Sequence, residues 1–228
     1  MIKKVCFFLF LLAIFSLTSA CAKPENKEEL TPSQSENQFS LPGVFKGEEA
    51  KNRAETKKDI IRIEGDDYEF QFKLFNADSI GFTTYYPIDS GSGLTVEETD
   101  SEEGSEVIFK SDSLYDGQKR DDVYFSIFMY PENISLEEAI NTTKQNLAAD
   151  NSQIFQREDE QYRYYKWAIH EFDYKTKKND ILYIGTAAFG QKGNRIVKVL
   201  SHLPEDLVEG FIPIMDKILQ DIQWYENG

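Results

Sequence analysis

Cysteine is nearly absent from this chain: of 228 residues only Cys6 and Cys21 are cysteines. Two thiols, one of them inside an apolar leader, exclude a disulfide framework and a Cys–His catalytic pair. Histidine is as scarce, with only His170 and His202. A metal site needs three or four ligands converging in space, and His170 and its neighbour Glu171 should point to opposite faces of a strand. Long apolar runs are missing too. Val5 to Leu17 is apolar except for Ser16, which is shorter than the roughly 20 residues a membrane helix needs. Basic residues are in deficit, 25 Lys and Arg against 40 Asp and Glu, for a net charge of -15. That balance excludes nucleic acid as a partner, because phosphate binding needs Lys and Arg. It also opposes lying flat on anionic lipid. No Gly-x-Ser-x-Gly elbow, phosphate loop or dinucleotide fingerprint occurs.

The leader has three zones: Lys3 and Lys4, the apolar core, and then Leu17-Thr18-Ser19-Ala20-Cys21. A charged start, a short apolar core and small residues make an export signal over residues 1–20. The small residues ending in Cys resemble the lipobox of bacterial lipoproteins, with Leu17 one place earlier than usual and Thr18 in its stead. The resemblance implies cleavage between Ala20 and Cys21 and a diacylglyceryl group, with palmitate among its acids, on the Cys21 thiol. Two acyl chains suffice as an anchor where one does not. The chain would then sit on the extracytoplasmic face of the cell membrane. An ordinary signal peptidase cutting after Ala20 is the alternative, and it would release a soluble protein. Without Lys3 and Lys4 the balance is 23 basic against 40 acidic residues.

Residues 21–58 are polar and charged with few large apolar side chains, so they cannot bury enough surface to fold alone. They read as a lipidated Cys and a flexible tether, with Leu41 to Phe45 able to dock locally. Such a coil reaches on the order of 35 Å. Residues 59–228 then form one globular domain with an adequate core.

Within it, Ile60 to Ile63 and Tyr68 to Phe75 read as a hairpin around Gly65-Asp66-Asp67. Ile80 to Tyr86 is a third strand ending at Pro87. Leu94 to Glu98 and Glu106 to Ser111 make a second hairpin, and Val123 to Tyr130 is a further strand. Ser135 and Glu138 have capping-box spacing ahead of a helix to Ala149, whose Leu136, Ala139, Ile140, Thr143 and Leu147 share a face. Strands are expected over Arg163 to Tyr174, Ile181 to Phe189 and Arg195 to His202. Ile181 to Phe189 is apolar or small on both faces, so it belongs at the centre, covered on both sides. The closing helix carries Leu207, Phe211, Ile214, Met215, Ile218 and Ile222 on one face. Pro213 requires it either to start near Gly210 or to kink.

The order of strands, helix, three strands and helix predicts an α+β fold. Phe82-Thr83-Thr84-Tyr85-Tyr86-Pro87, Ser135-Leu136-Glu137-Glu138-Ala139 and Ile218-Leu219-Gln220-Asp221-Ile222 resemble the PsbP-like family. That family is known in photosystem extrinsic proteins and bacterial lipoproteins. The resemblance implies an antiparallel β-sheet packed between helices, a PsbP-like sandwich. The hairpin over Ile60 to Phe75 is extra to the pattern.

Neither acidic loop, Glu97 to Glu106 or Asp112 to Asp122, has the alternation and central Gly of a calcium loop. Aromatic clusters are the remaining candidates. Tyr162, Tyr164, Tyr165 and Trp167 crowd one segment, and Tyr124, Phe128 and Tyr130 share one strand face. Rings on a sheet can anchor a partner or stack on a sugar, and more often they fill the core. The sequence therefore points to a non-catalytic, membrane-anchored module with a protein partner at the cell surface and no cofactor. A small-ligand or cation-binding lipoprotein is the alternative.

Overall fold

The computed structural model describes residues 41–89, 93–111, 114–115, 118–119, 122–157 and 163–226. Cys21, Ala20 and Tyr162 lie outside the described residues, as do Asp112, Asp116 and Asp121. The elements in chain order are β1 (Val44–Phe45), a 3-10 turn (Gly47–Lys51), β2 (Thr56–Ile63), β3 (Asp66–Ala77) and β4 (Phe82–Pro87). Then come β5 (Leu94–Ser101), β6 (Gly104–Ser111), β7 (Leu114–Tyr115), β8 (Gln118–Lys119), β9 (Tyr124–Met129), α1 (Leu136–Ala149) and β10 (Gln153–Gln156). The chain continues with β11 (His170–Lys178), β12 (Ile181–Lys192), β13 (Arg195–Pro204), α2 (Val208–Gln220) and β14 (Gln223–Trp224).

The α+β class holds, with mostly antiparallel sheets and two helices. The strands divide between a seven-stranded sheet, ordered β10-β11-β12-β13-β9-β6-β5, and a five-stranded sheet, β1-β14-β4-β3-β2. Two short strands, β7 and β8, pair separately. Among the described residues only β1 and β14 run parallel, and every other pairing is antiparallel. The hairpin that was extra to the family pattern builds the edge of the second sheet.

Each face of the seven-stranded sheet has its own core. On the outer face, Ala139 and Leu147 of α1 meet Phe172, Tyr174, Ala187, Phe189 and Ile196. On the inner face, Phe109, Phe125, Ile127, Val197 and Val199 meet Phe72 and Phe82 of the other sheet and Ile214, Met215 and Ile218 of α2. Phe109 and Phe125 are register partners, and their rings stack 4.6 Å apart. Strand β12 is central as expected, with Ala187, Ala188, Phe189 and Gly190 all buried. Helix α1 begins at Ser135 with both hydrogen bonds of the capping box in place.

Three expectations need correction. Residues from Leu41 on already pack into the domain expected from Asp59. Leu41 and Ala50 are buried, and Val44 N–H donates to the Ile222 carbonyl at 3.0 Å. Composition hid this because the segment is held by its backbone and by Arg53, whose guanidinium donates to the Asp221 carbonyl at 2.9 Å. Next, no strand spans Arg163 to Ile169. The amides of Tyr164 and Tyr165 donate to the Glu171 carboxylate instead of a neighbouring strand, and Ala168 N–H closes a turn onto the Tyr165 carbonyl. Finally, α2 starts at Val208 and holds Pro213 inside. The ring removes the bond to the Glu209 carbonyl, and burial of Phe211, Ile214, Met215, Ile218 and Leu219 offsets the loss. No described helix is long and apolar enough to cross a membrane.

Candidate functional site

A groove of about 860 Å³ opens between the inner face of the seven-stranded sheet and α2. Antiparallel pairing of β11, β12 and β13 sets Asp173, Thr186 and Ser201 towards it from adjacent strands. One wall is aliphatic, with Ile184, Leu203, Val208, Ile212, Pro213 and Met215. The other is polar, and the exposed Glu64, Lys175 and Glu209 form its rim.

The polar wall is built on a buried charge. Glu171 is almost fully enclosed, and its carboxylate takes Arg157 Nη1 at 2.8 Å. It also accepts the backbone N–H groups of Tyr164 and Tyr165, each at 2.9 Å. The other edge of the Arg157 guanidinium grips Asp173 at both oxygens, Nε to Oδ2 at 2.8 Å and Nη2 to Oδ1 at 2.9 Å. Hydrogen bonding to Asp173 holds the guanidinium pKa above its ordinary value. Thr186 Oγ1 donates to the same Asp173 oxygen at 2.8 Å, and Thr186 N–H donates to Ser201 Oγ at 3.0 Å. A carboxylate taken out of water is costly unless paired and hydrogen-bonded, and here every element of the wall supplies a partner. The network fixes the turn over residues 163–168 to the sheet edge.

That turn carries the first aromatic cluster. Tyr164 and Tyr165 meet edge to face at 4.8 Å, and Tyr165 and Trp167 lie 5.2 Å apart. Tyr165 is buried and contacts Met215 Sδ at 3.7 Å. Tyr164 is 47% exposed and donates its hydroxyl to Asp216 of α2. Burial raises the Asp216 pKa above its ordinary value, and the Tyr164 hydrogen bond opposes that rise. Beyond the Tyr164–Asp216 contact lies a second concavity of about 470 Å³, bounded by Leu41, Pro42 and Trp167.

The second cluster is on the opposite face of the sheet. Tyr124, Phe128 and Tyr130 lie on the α1 side, with Phe128 and Tyr130 packed 4.7 Å apart and Tyr130 buried. Tyr130 and Thr143 of α1 share a hydrogen bond of 3.0 Å. The two clusters therefore make no common surface, and Tyr165 and Tyr130 serve as core.

Both histidines have structural surroundings. His202 stacks on Tyr183 at 4.7 Å and 5°. The Tyr174 hydroxyl donates to the Ser201 carbonyl at 2.7 Å, so its 2.9 Å contact with His202 is a bond from Nδ1–H to that oxygen. Burial pulls the His202 pKa down to about 4, so the ring is neutral at pH 7. His170 faces Phe172 and Phe189, and burial lowers its pKa as well. Its neighbour Glu171 does point the other way, as the strand geometry requires.

Among the described residues no group of three or more His, Cys, Asp or Glu side chains could hold a metal ion. Acids of the first acidic loop have protein partners: Glu97 pairs with Lys110 at 2.5 Å, Glu98 takes Ser79 N–H at 2.9 Å, and Asp100 takes Ser105 Oγ at 2.7 Å.

Sequence reasoning singled out Tyr164, missed Arg157 and Asp216, and weighed Glu171 and Asp173 only as metal ligands beside His170. The signal for Glu171 was an acid set among aromatic and apolar residues, in Ala168-Ile169-His170-Glu171-Phe172.

No protein-family model matches the sequence. No curated protein matches it at a significant level. Among solved structures the chain is similar to cyanobacterial PsbP (CyanoP) from Synechocystis sp. PCC 6803, at a TM-score of 0.37 and 12% identity, over 68% of this chain and 92% of that one.

Proposed function

We propose that this chain is a lipid-anchored, extracytoplasmic binding module whose groove between the seven-stranded sheet and α2 receives a protein partner. The observation that carries the reading is the groove of about 860 Å³, with an aliphatic wall facing a wall of bonded charges. A wall already ordered by Glu171, Arg157 and Asp173 lowers the entropy lost on binding. Binding of this kind involves no covalent chemistry. The anchor rests on the leader, on Cys21 and on the polar residues before Leu41.

A second reading has one observation in its favour. The groove volume lies in the range of small-molecule sites. A small ligand or cation bound there would raise the melting temperature with the logarithm of its concentration above the dissociation constant. A thermal-shift screen including calcium and cell-wall sugars separates this reading from the first.

Photocrosslinking tests the docking reading. A photoreactive residue at Ile212, in the groove, is compared in intact cells with one at Glu137, exposed on α1 across the sheet. A discrete adduct from position 212 and none from 137 is expected. Adducts from both positions alike, or from neither, would contradict it.

A further inference from the structure

The groove has two unlike walls, and the charge on one of them is unbalanced. Counting Glu171 behind the wall, the groove and the adjoining concavity hold the carboxylates Glu64, Glu171, Asp173, Glu209 and Asp216 against the cations Arg157, Lys166 and Lys175. Arg157 is committed to Glu171 and Asp173. Neither Glu64 nor Glu209 makes an ion pair among the described residues. Asp216 is met by the Tyr164 hydroxyl and by no described cation. An anionic ligand entering here would face acids on the rim and at the far end.

Tyr164 adds a second feature. Its ring is the half-exposed member of the aromatic trio, and it stands where the two concavities meet. A ring face beside a carboxylate is a recognised seat for an ammonium or guanidinium, because the ring quadrupole and the anion attract the same charge. The facing α2 wall is aliphatic at Val208, Ile212, Pro213 and Met215, with Glu209 at its rim. An extended chain sends successive side chains to opposite sides, so one strand can present apolar groups to α2 and charged groups to the acids.

Resting on the docking reading, we propose that the groove takes an extended peptide segment alternating apolar and basic residues, with a Lys or Arg side chain seated at Tyr164 and Asp216. Its apolar side chains lie along Ile184, Leu203 and Ile212. The carboxylates Glu64 and Glu209 attract the remaining basic groups at the rim. The occupant is therefore a basic, apolar stretch of a surface or secreted protein.

The test uses the full chain in phosphatidylcholine nanodiscs, with empty nanodiscs subtracted, and three labelled peptides read by anisotropy. These alternate Leu with Lys, Leu with Glu and Leu with Ser. The lysine peptide should bind roughly tenfold more tightly than the serine peptide and should weaken with salt, while the glutamate peptide should not bind. Asp216→Asn keeps an acceptor for Tyr164. Combined with Glu209→Gln, it should erase the advantage of the lysine peptide and leave the serine peptide unchanged. Ile212→Ala should weaken both. If all three peptides bind alike and Ile212→Ala weakens them all, the charge selectivity is overturned while the groove remains a docking site. If none binds although position 212 crosslinks a partner, the peptide chemistry is wrong. If none binds and position 212 crosslinks nothing, the docking reading falls as well.

Discussion

Trp224 donates its indole N–H to the carbonyl of Pro42 at 2.7 Å, joining residues 182 positions apart in the chain. The bond closes the five-stranded sheet, since β1 pairs only with β14 and β14 reaches β4 beside it. Trp224 is fully buried against Phe82, with the Lys192 ammonium 5.1 Å from its ring. The segment from Leu41 thus belongs to the fold.

Removing residues 41–55 should therefore lower the melting temperature by roughly 10 °C or more, on the scale of 2–4 °C per kcal/mol for a domain of this size. Trp224→Phe should cost about 2–3 kcal/mol, from lost volume and an unmet Pro42 carbonyl. Thermal denaturation followed by circular dichroism checks both. An unchanged midpoint after the deletion would return residues 41–55 to the tether.

Glu171→Gln should destabilise the domain by about 2–4 kcal/mol, because Arg157 loses the charge of a buried anionic partner. The damage should be local first. Hydrogen exchange at the Tyr164 and Tyr165 amides should accelerate well before that of β12. Uniform acceleration across the sheet would mean that Glu171 supports the whole core and not the groove wall in particular.

His202 predicts a slope in stability against pH. Burial sets its folded pKa near 4, below the ordinary 6.5. Between these values the unfolded chain holds the extra proton, so stability is full above pH 6.5 and falls as pH drops towards 4. The loss should be on the order of 2–3 kcal/mol. Asp59 acts in a lower window. Hydrogen bonding to Lys217 at 2.7 Å and to Lys57 at 3.1 Å brings its pKa from 3.8 to about 2, so its contribution disappears only below about pH 4. His202→Phe should flatten the urea midpoint between pH 6.5 and 4 and leave the steeper fall below pH 4 in place.

Gly185→Ala should be costly. A methyl group there would meet the Ser201 carbonyl oxygen at 2.1 Å and the Tyr174 ring at 2.5 Å. Overpacking against backbone costs about 1–3 kcal/mol or more, and it would displace the strand carrying Thr186. Chemical denaturation measures the loss. A neutral substitution would show that β12 and β13 can separate locally at no cost.

Much of the fold was legible because its signals are local. Glu64 and Gly65 both take positive φ between β2 and β3, the turn chemistry read from Gly65-Asp66-Asp67. Ser135 and Glu138 cap α1 as their spacing requires. The apolar or small residues over Ile181 to Phe189 placed β12 inside the sheet. What failed depended on distant partners. Val44–Phe45 and Gln223–Trp224 are two-residue strands that exist only by distant pairing, β1 with β14 and β14 also with β4. The aromatic run from Tyr164 resembles a strand, but its amides go to a carboxylate six and seven residues on. Glu171 was weighed as a metal ligand for His170, whereas its partner is Arg157, on the far side of the residues that precede Tyr164. Asp216 was invisible because its neighbour Tyr164 is 52 positions away.

The proposal that the groove works at a membrane surface depends on one thiol. Growing cells with a fatty-acid analogue and comparing wild type with Cys21→Ser measures this most directly. The wild type should carry the label and partition into detergent. The variant should carry none, and it should be released or persist as the uncut precursor. Equal labelling of the two, or a wild type that is soluble and unlabelled, would contradict the anchor and leave ordinary cleavage after Ala20 as the processing event.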